Sequence, residues 1–216
     1  MFPPLYVVLD HGLLRMPAEK CAESLSASGV ELIQFRAKHL LSRDNFNACA
    51  RLASSLAKSG ARFIVNDRPD IASLVGAGGV HVGHEDLSPD DARRIVGPEV
   101  WVGVSTHNLE QVRAANLTSA DYIAVGPVFA TATKQRLDPI VGLDFIREAR
   151  KLTCKPIVAI GGITLERAAG VYEAGADSVA VISDILSTSD PVLRAKEFLA
   201  VAKKCLSNSA RANRGQ

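Results

Sequence analysis

Short runs rich in β-branched residues recur along the 216-residue chain, each followed by a stretch of helical periodicity. No other feature constrains the fold as much. Strands are predicted over 5–10 (LYVVLD), 31–36 (ELIQFR), 62–66 (RFIVN), 79–83 (GVHVG), 101–105 (WVGVS), 122–126 (YIAVG), 156–161 (PIVAIG) and 178–183 (SVAVIS). Helices are predicted over 17–28, 43–58, 108–117, 142–152, 165–174 and 189–205, with two shorter ones near 69–76 and 88–96.

A weak internal repeat supports the alternation. SASGVELIQF, GAGGVHVGHE, TSADYIAVGP and AGADSVAVIS each pass from a helix end through small residues into a strand. Gly29, Gly78 and Gly175 suit the left-handed position just past a helix. Repeated strand–helix units of this number point to a single-domain α/β (β/α)8 TIM barrel over residues 1–206, with a flexible polar tail over 207–216. An open doubly wound sheet is the rival. The GAGG at 76–79 is no dinucleotide loop, because it precedes a strand instead of joining strand to helix.

Composition narrows the function. The chain is 47% hydrophobic and 22% charged, a globular profile, and its formal net charge of +2 gives no reason to expect nucleic acid or an anionic membrane as partner. The N-terminal MFPPLYVVLD has neither the basic start nor the apolar length of a signal segment, and no apolar run is long enough to span a bilayer. A cytoplasmic location is expected. Cys21, Cys49, Cys154 and Cys205 lie far apart without metal-ligand spacing and read as small apolar residues. The oligomeric state stays open, a homo-oligomer included.

In a barrel of this kind chemistry collects where strands end. Side chains alternate along a strand, so Gln34, Arg36 and Lys38 share one side, aimed at the mouth, while Phe35 faces the helices. The third strand ends in Asn66 and Asp67, and Asp67 has the competing reading of a helix cap. Asp86 follows on the next loop. Two carboxylates opposite Arg36, Lys38 and Lys134 form a set that suits Mg2+ carrying a diphosphate, since Mg2+ takes one or two carboxylates and fills its other positions with water and phosphate oxygens. Ser105 closes the fifth strand.

The sixth strand leads into GPVFATATK, with Thr131, Thr133 and Lys134 in alternation. Gly161-Gly162 after the seventh strand and Ile182-Ser183 after the eighth lie where barrels bind phosphate through backbone N–H groups. The mouth is thus expected to hold two anionic groups.

QFRAK, NDRPD, GVHVGHEDL, GVSTHNLEQ, GPVFATATK, VAIGGIT and AVIS, in this order, resemble the thiamine-phosphate synthase family from the first strand to about residue 187. The resemblance implies condensation of 4-amino-5-hydroxymethyl-2-methylpyrimidine diphosphate with 4-methyl-5-(2-phosphoethyl)thiazole to give thiamine monophosphate and pyrophosphate. It implies pyrimidine diphosphate contacts from Gln34, Phe35, Arg36, Ala37, Lys38, Asn66, Ser105 and Lys134, with Arg36, Lys38, Ser105 and Lys134 catalytic. Mg2+ would be held by Asp67 and Asp86, and the thiazole phosphate by Thr131, Thr133, Gly162, Ile182 and Ser183. Residues 131–141 would form a lid. VLDHG stands where the family often has ITD, Ala130 replaces a frequent Pro and His84 a frequent Gln. A thiazole tautomerase using His107 as acid and base, and a non-catalytic barrel binding a phosphorylated metabolite, are the alternative readings.

Overall fold

The computed structural model describes residues 2–131 and 139–212. Parallel strands β1 (Leu5–Asp10), β2 (Leu32–Arg36), β3 (Arg62–Asn66), β4 (Gly79–Val82), β5 (Trp101–Thr106), β6 (Tyr122–Val125), β7 (Ile157–Ile160) and β8 (Ser178–Val181) follow one another around a closed barrel. Closure decides against the open sheet: β8 pairs back onto β1, with Val181 opposite Val7. Between the strands run α1 (Ala18–Ala27), α2 (Ser42–Leu56), α3 (Pro69–Val75), α4 (Pro89–Val96), α5 (Leu109–Asn116), α6 (Gly142–Leu152) and α7 (Leu165–Glu173). A single turn α8 (Ser183–Leu186) and α9 (Pro191–Ala212) complete the ring. Helix α9 continues to Ala212 where the sequence reading ended it at 205.

Local signals start several helices. Ser88 accepts from Asp91 N at 3.1 Å ahead of Pro89 in α4, and Asn108 accepts from Gln111 N at 2.9 Å in α5. At helix ends, Gly29 and Gly175 have the expected positive φ of 104° and 108°. In the third unit the left-handed residue is Gly76 (φ 64°), not Gly78, which instead lies against the Arg62 side chain.

Strand alternation divides the apolar residues into two layers. Phe35, Val65, Val80, Val102, Ile123, Ala159 and Val179 pack outward against the helices, while Tyr6, Val8, Leu32, Ile64, Tyr122, Val158 and Ala180 fill the barrel. At the N-terminal end of the barrel Phe2 stacks on Trp101 at 5.2 Å, and the Arg62 guanidinium lies 4.0 Å from the Trp101 ring centre.

The repeat seen in the sequence has a structural counterpart. Asp121 and Asp177, at matching positions of TSADYIAV and AGADSVAV, each accept the first free N–H of the preceding strand, from Val102 at 2.6 Å and Ile157 at 2.8 Å. Each also pairs with a helix arginine, Arg93 and Arg150. These clamps sit at the end opposite the mouth and hold strand to helix.

Cys21 and Cys49 are buried, as expected of small apolar residues, but Cys154 is exposed and Cys205 intermediate. Among the described residues no helix is long and apolar enough to cross a membrane.

Candidate active site

The mouth is built from strand ends. Asp10 and Arg36, opposite one another in the β1–β2 register, form an ion pair with both side chains largely covered. Gly12 N donates to the other Asp10 oxygen at 3.0 Å, so the carboxylate that aims Arg36 is itself fixed. Lys38 lies beyond the strand, half in solvent, with Nζ 3.4 Å from Asp67 Oδ2.

Asp67 is the one described non-glycine residue with positive φ, at 61°. A conformation of this kind costs about 1–3 kcal/mol and must be held by its surroundings. Here the Asp67 N–H donates to the His81 carbonyl at 2.8 Å. The residue capping α3 is Arg68, without a side-chain cap, so Asp67 is not spent on the helix. Asp86 is anchored from its own loop, accepting Gly83 N at 2.7 Å. A Cβ at Gly83 would come within 2.9 Å of that same Asp86 oxygen.

Burial, and then the negative charge of Asp86, hold the Asp67 carboxyl above the usual carboxylate range, with Lys38 opposing both. Two carboxyls brought this close need a shared proton or a cation. Among the described residues no three His, Cys, Asp or Glu side chains converge as a closed metal cage. A pair of carboxylates on an open mouth fits Mg2+, which completes its shell with water and substrate phosphate, better than it fits a metal held by protein alone.

Across the mouth, Gly161 (φ 100°) and Gly162 (φ 60°) follow β7. In the sequence the pair lies where a phosphate would meet backbone N–H groups, which suits residues without side chains. In the structure the neighbouring chain segment already requires such residues: a Cβ on Gly161 would stand 2.5 Å from Pro127 Cα, and one on Gly162 2.3 Å from the Ala130 carbonyl oxygen. Val128 N and Phe129 N donate to the Ile160 and Gly161 carbonyls, seating the loop after β6 on the loop after β7. Arg167 donates to the Gly162 carbonyl at 2.7 Å and lies over the Phe129 ring. Asp184 accepts Leu165 N at 3.1 Å and receives Arg194, tying the start of α7 to α8.

Arg36, Ala37, Lys38, Asp86, Ser105, Thr131, Gly162 and Ser183 line one cavity of about 1110 Å³ at this end of the barrel. Asn66 ends β3 beside Asp67, and Ile182 follows β8, but these three are not among the residues that line it. Gln34 is buried inside the barrel, below the mouth. Phe35 points away from the mouth altogether: its side chain is 1% exposed and belongs to the helix-facing core, so it offers a ligand no side-chain surface. Thr133, Lys134 and most of the expected lid lie outside the described residues.

Histidines fill roles the sequence left open. His107 Nδ1 lies 2.6 Å from the Gly126 carbonyl, which only accepts, so that nitrogen carries a proton. His84 is an exposed residue of the cavity rim. The sequence reading missed Arg167 and Asp184 on the phosphate side. It also missed His81, Tyr6 and Tyr122 in the barrel interior, although strict alternation along β1, β4 and β6 places all three inward.

The family model and the relatives most similar in sequence agree. A family model described as thiamine monophosphate synthase matches residues 5–185. The thiamine-phosphate synthase of Koribacter versatilis is 51% identical over 180 residues, covering 83% of this chain and 84% of the relative. That of Chloroflexus aurantiacus is 40% identical over 198 residues, 91% of each chain. The solved thiamine phosphate pyrophosphorylase of Pyrococcus furiosus superposes with a TM-score of 0.85 at 30% identity, covering 94% of this chain and 96% of that one.

Proposed function

The chain belongs to the thiamine monophosphate synthase family, and from that membership we propose how its mouth performs the transfer. The substrates are the pyrimidine carrying a methyl diphosphate and the thiazole carrying a phosphoethyl arm. The observation that carries this reading is Asp67 held beside Lys38 and Asp86, two residues that line one cavity with Gly162 and Ser183. A diphosphate belongs on the acidic and cationic side, a monophosphate on the glycine and serine side.

Asp67 and Asp86 would hold Mg2+. When bound, the ion supplies positive charge to the oxygens of the departing diphosphate. The chain's own cations share that task. Arg36, aimed by Asp10, and Lys38 neutralise charge that grows as the methylene carbon–oxygen bond breaks and its electron pair leaves with pyrophosphate. Lys134 has the same role in the proposal, from outside the described residues. The pyrimidine ring spreads the positive charge left on the methylene carbon, and the thiazole nitrogen donates its lone pair to form the new carbon–nitrogen bond.

That nitrogen bears no proton, so the transfer needs no general base. Beside the acidic pair, the mouth's hydrogen-bond donors and cations suit such a transfer. Thr131, Thr133, Gly162, Ile182 and Ser183 orient the thiazole phosphate so that its nitrogen faces the carbon. A cytoplasmic site of action belongs to the same proposal.

Incubating the protein with both substrates and Mg2+, and separating the products, tests the reading. Thiamine monophosphate should accumulate. Rearranged thiazole phosphate alone would favour the tautomerase reading instead.

A further inference from the structure

Inside the barrel, below the mouth, five side chains from five strands make one continuous hydrogen-bonded chain. Gln34 Nε2 donates to Tyr6 Oη at 2.6 Å, and Tyr6 Oη and Tyr122 Oη are 3.0 Å apart. His81 Nδ1 lies 3.1 Å from Tyr122 Oη, and His81 Nε2 lies 2.9 Å from Ser105 Oγ. Both tyrosines are fully enclosed, and His81 stacks on the Tyr122 ring at 5.6 Å. The backbone makes room for this: a Cβ on Gly103 would stand 2.0 Å from Tyr122 Cζ. A polar chain this deep costs stability unless each proton is placed, so its order carries information.

The Gln34 amide sets the order. Tyr6 accepts from Gln34, and among the described residues its single proton has one acceptor within reach, the Tyr122 oxygen. The Tyr122 proton then goes to His81 Nδ1, which must be the bare nitrogen, and His81 Nε2 bears the hydrogen that points to Ser105. With the amide nitrogen facing Tyr6, running the pair of tyrosines the other way would leave the Tyr6 proton buried without an acceptor.

We propose that His81 is a positioning residue held by this chain as the neutral Nε2–H tautomer, anchoring Ser105 Oγ so that the serine proton is presented to an acceptor atom of the ligand. Ser105 is the one member of the chain that lines the mouth cavity. The chain therefore passes an orientation fixed by Gln34 on β2 to a donor on β5. The kinetic consequence rests on the synthase reading; the tautomer does not.

Two experiments separate these layers. Nitrogen-15 spectra of the histidine-labelled, ligand-free protein should show His81 with a protonated Nε2 and a bare Nδ1 at neutral pH. Tyr122→Phe removes the donor to Nδ1 and should mix the tautomers. An Nδ1–H tautomer in the wild type, or an unchanged spectrum in Tyr122→Phe, overturns the proposal whatever the protein catalyses. In turnover, His81→Leu should lower kcat/KM by about tenfold, the loss of one well-placed hydrogen bond. His81→Gln, whose amide N–H reaches the same place, should recover most of it. In a Ser105→Ala background His81→Leu should cost less than about twofold, because the two act as a unit. An equal loss in both backgrounds shows a merely structural role and contradicts the proposal. Should His81→Leu fail to fold, the Tyr122→Phe spectrum decides.

Discussion

Lys38 Nζ lies 3.4 Å from Asp67 Oδ2, so a lysine leans on one half of the acidic pair that is proposed to take Mg2+. The same ammonium has two competing tasks. Before substrate arrives it offsets part of the carboxylate charge; afterwards it faces the diphosphate. We predict that Lys38→Met separates the two. Mg2+ affinity without substrate should rise a few-fold, since an exposed pair is worth about 0.2–1 kcal/mol. Turnover should fall by about 10²–10³, the usual cost of removing one group that stabilises developing anionic charge. Calorimetry for the metal and steady-state rates check both. Wild-type turnover in the variant removes Lys38 from the mechanism.

Asp67 predicts a pH dependence. Burial and Asp86 raise its folded-state pKa, so the metal-free fold binds a proton there that the unfolded chain has already lost. That contribution is present at low pH and disappears as pH rises through the raised pKa. Mg2+ competes for the same oxygens. Rising pH should therefore lower the melting temperature of the metal-free protein through this site while enlarging the stabilisation by Mg2+. Melting curves with and without Mg2+ across acidic to neutral pH read it directly. Asp67→Asn should flatten the difference; a metal-induced shift independent of pH would show that Asp67 does not compete for the ion.

Gly162→Ala tests the contact between the loops after β6 and β7. At φ 60° and with the Ala130 carbonyl oxygen 2.3 Å from the added Cβ, the backbone must move. A loss of about 1–3 kcal/mol is expected from the left-handed conformation alone. If Gly162 also borders the thiazole phosphate, KM for that substrate should rise more than KM for the pyrimidine diphosphate. Equal changes in both would confine the residue to loop packing.

At the opposite end, Asp177→Ala should destabilise without touching chemistry. It leaves Ile157 N–H unpaired and releases Arg150, for about 1–3 kcal/mol. Denaturant unfolding should show the loss while kcat and KM stay unchanged. A large change in kcat would mean that the clamp reaches the mouth.

Much of this was legible in the sequence. Strands announce themselves through β-branched runs, and alternation puts Gln34 and Arg36 on the other side of β2 from Phe35, as the buried Gln34 network and the outward Phe35 confirm. What escaped had a physical reason. Tyr6, His81 and Tyr122 sit in runs that look like ordinary core, because an inward strand position admits either an apolar residue or a polar one whose partners come from other strands. Gly161 and Gly162 are small for a neighbouring segment distant in sequence, which no local pattern encodes. Gly76 and Gly78 both follow α3, and only the backbone angle distinguishes the cap from the packing contact.

The central claim is that this mouth transfers a pyrimidine methylene group from diphosphate to a thiazole nitrogen. Pyrophosphate release, followed in one cuvette as Mg2+ and then thiazole phosphate are added to protein with the pyrimidine diphosphate, tests it most directly. One pyrophosphate per thiamine monophosphate formed, with sustained release only after both additions, is the predicted result. Thiazole phosphate consumed with no pyrophosphate released would contradict the claim.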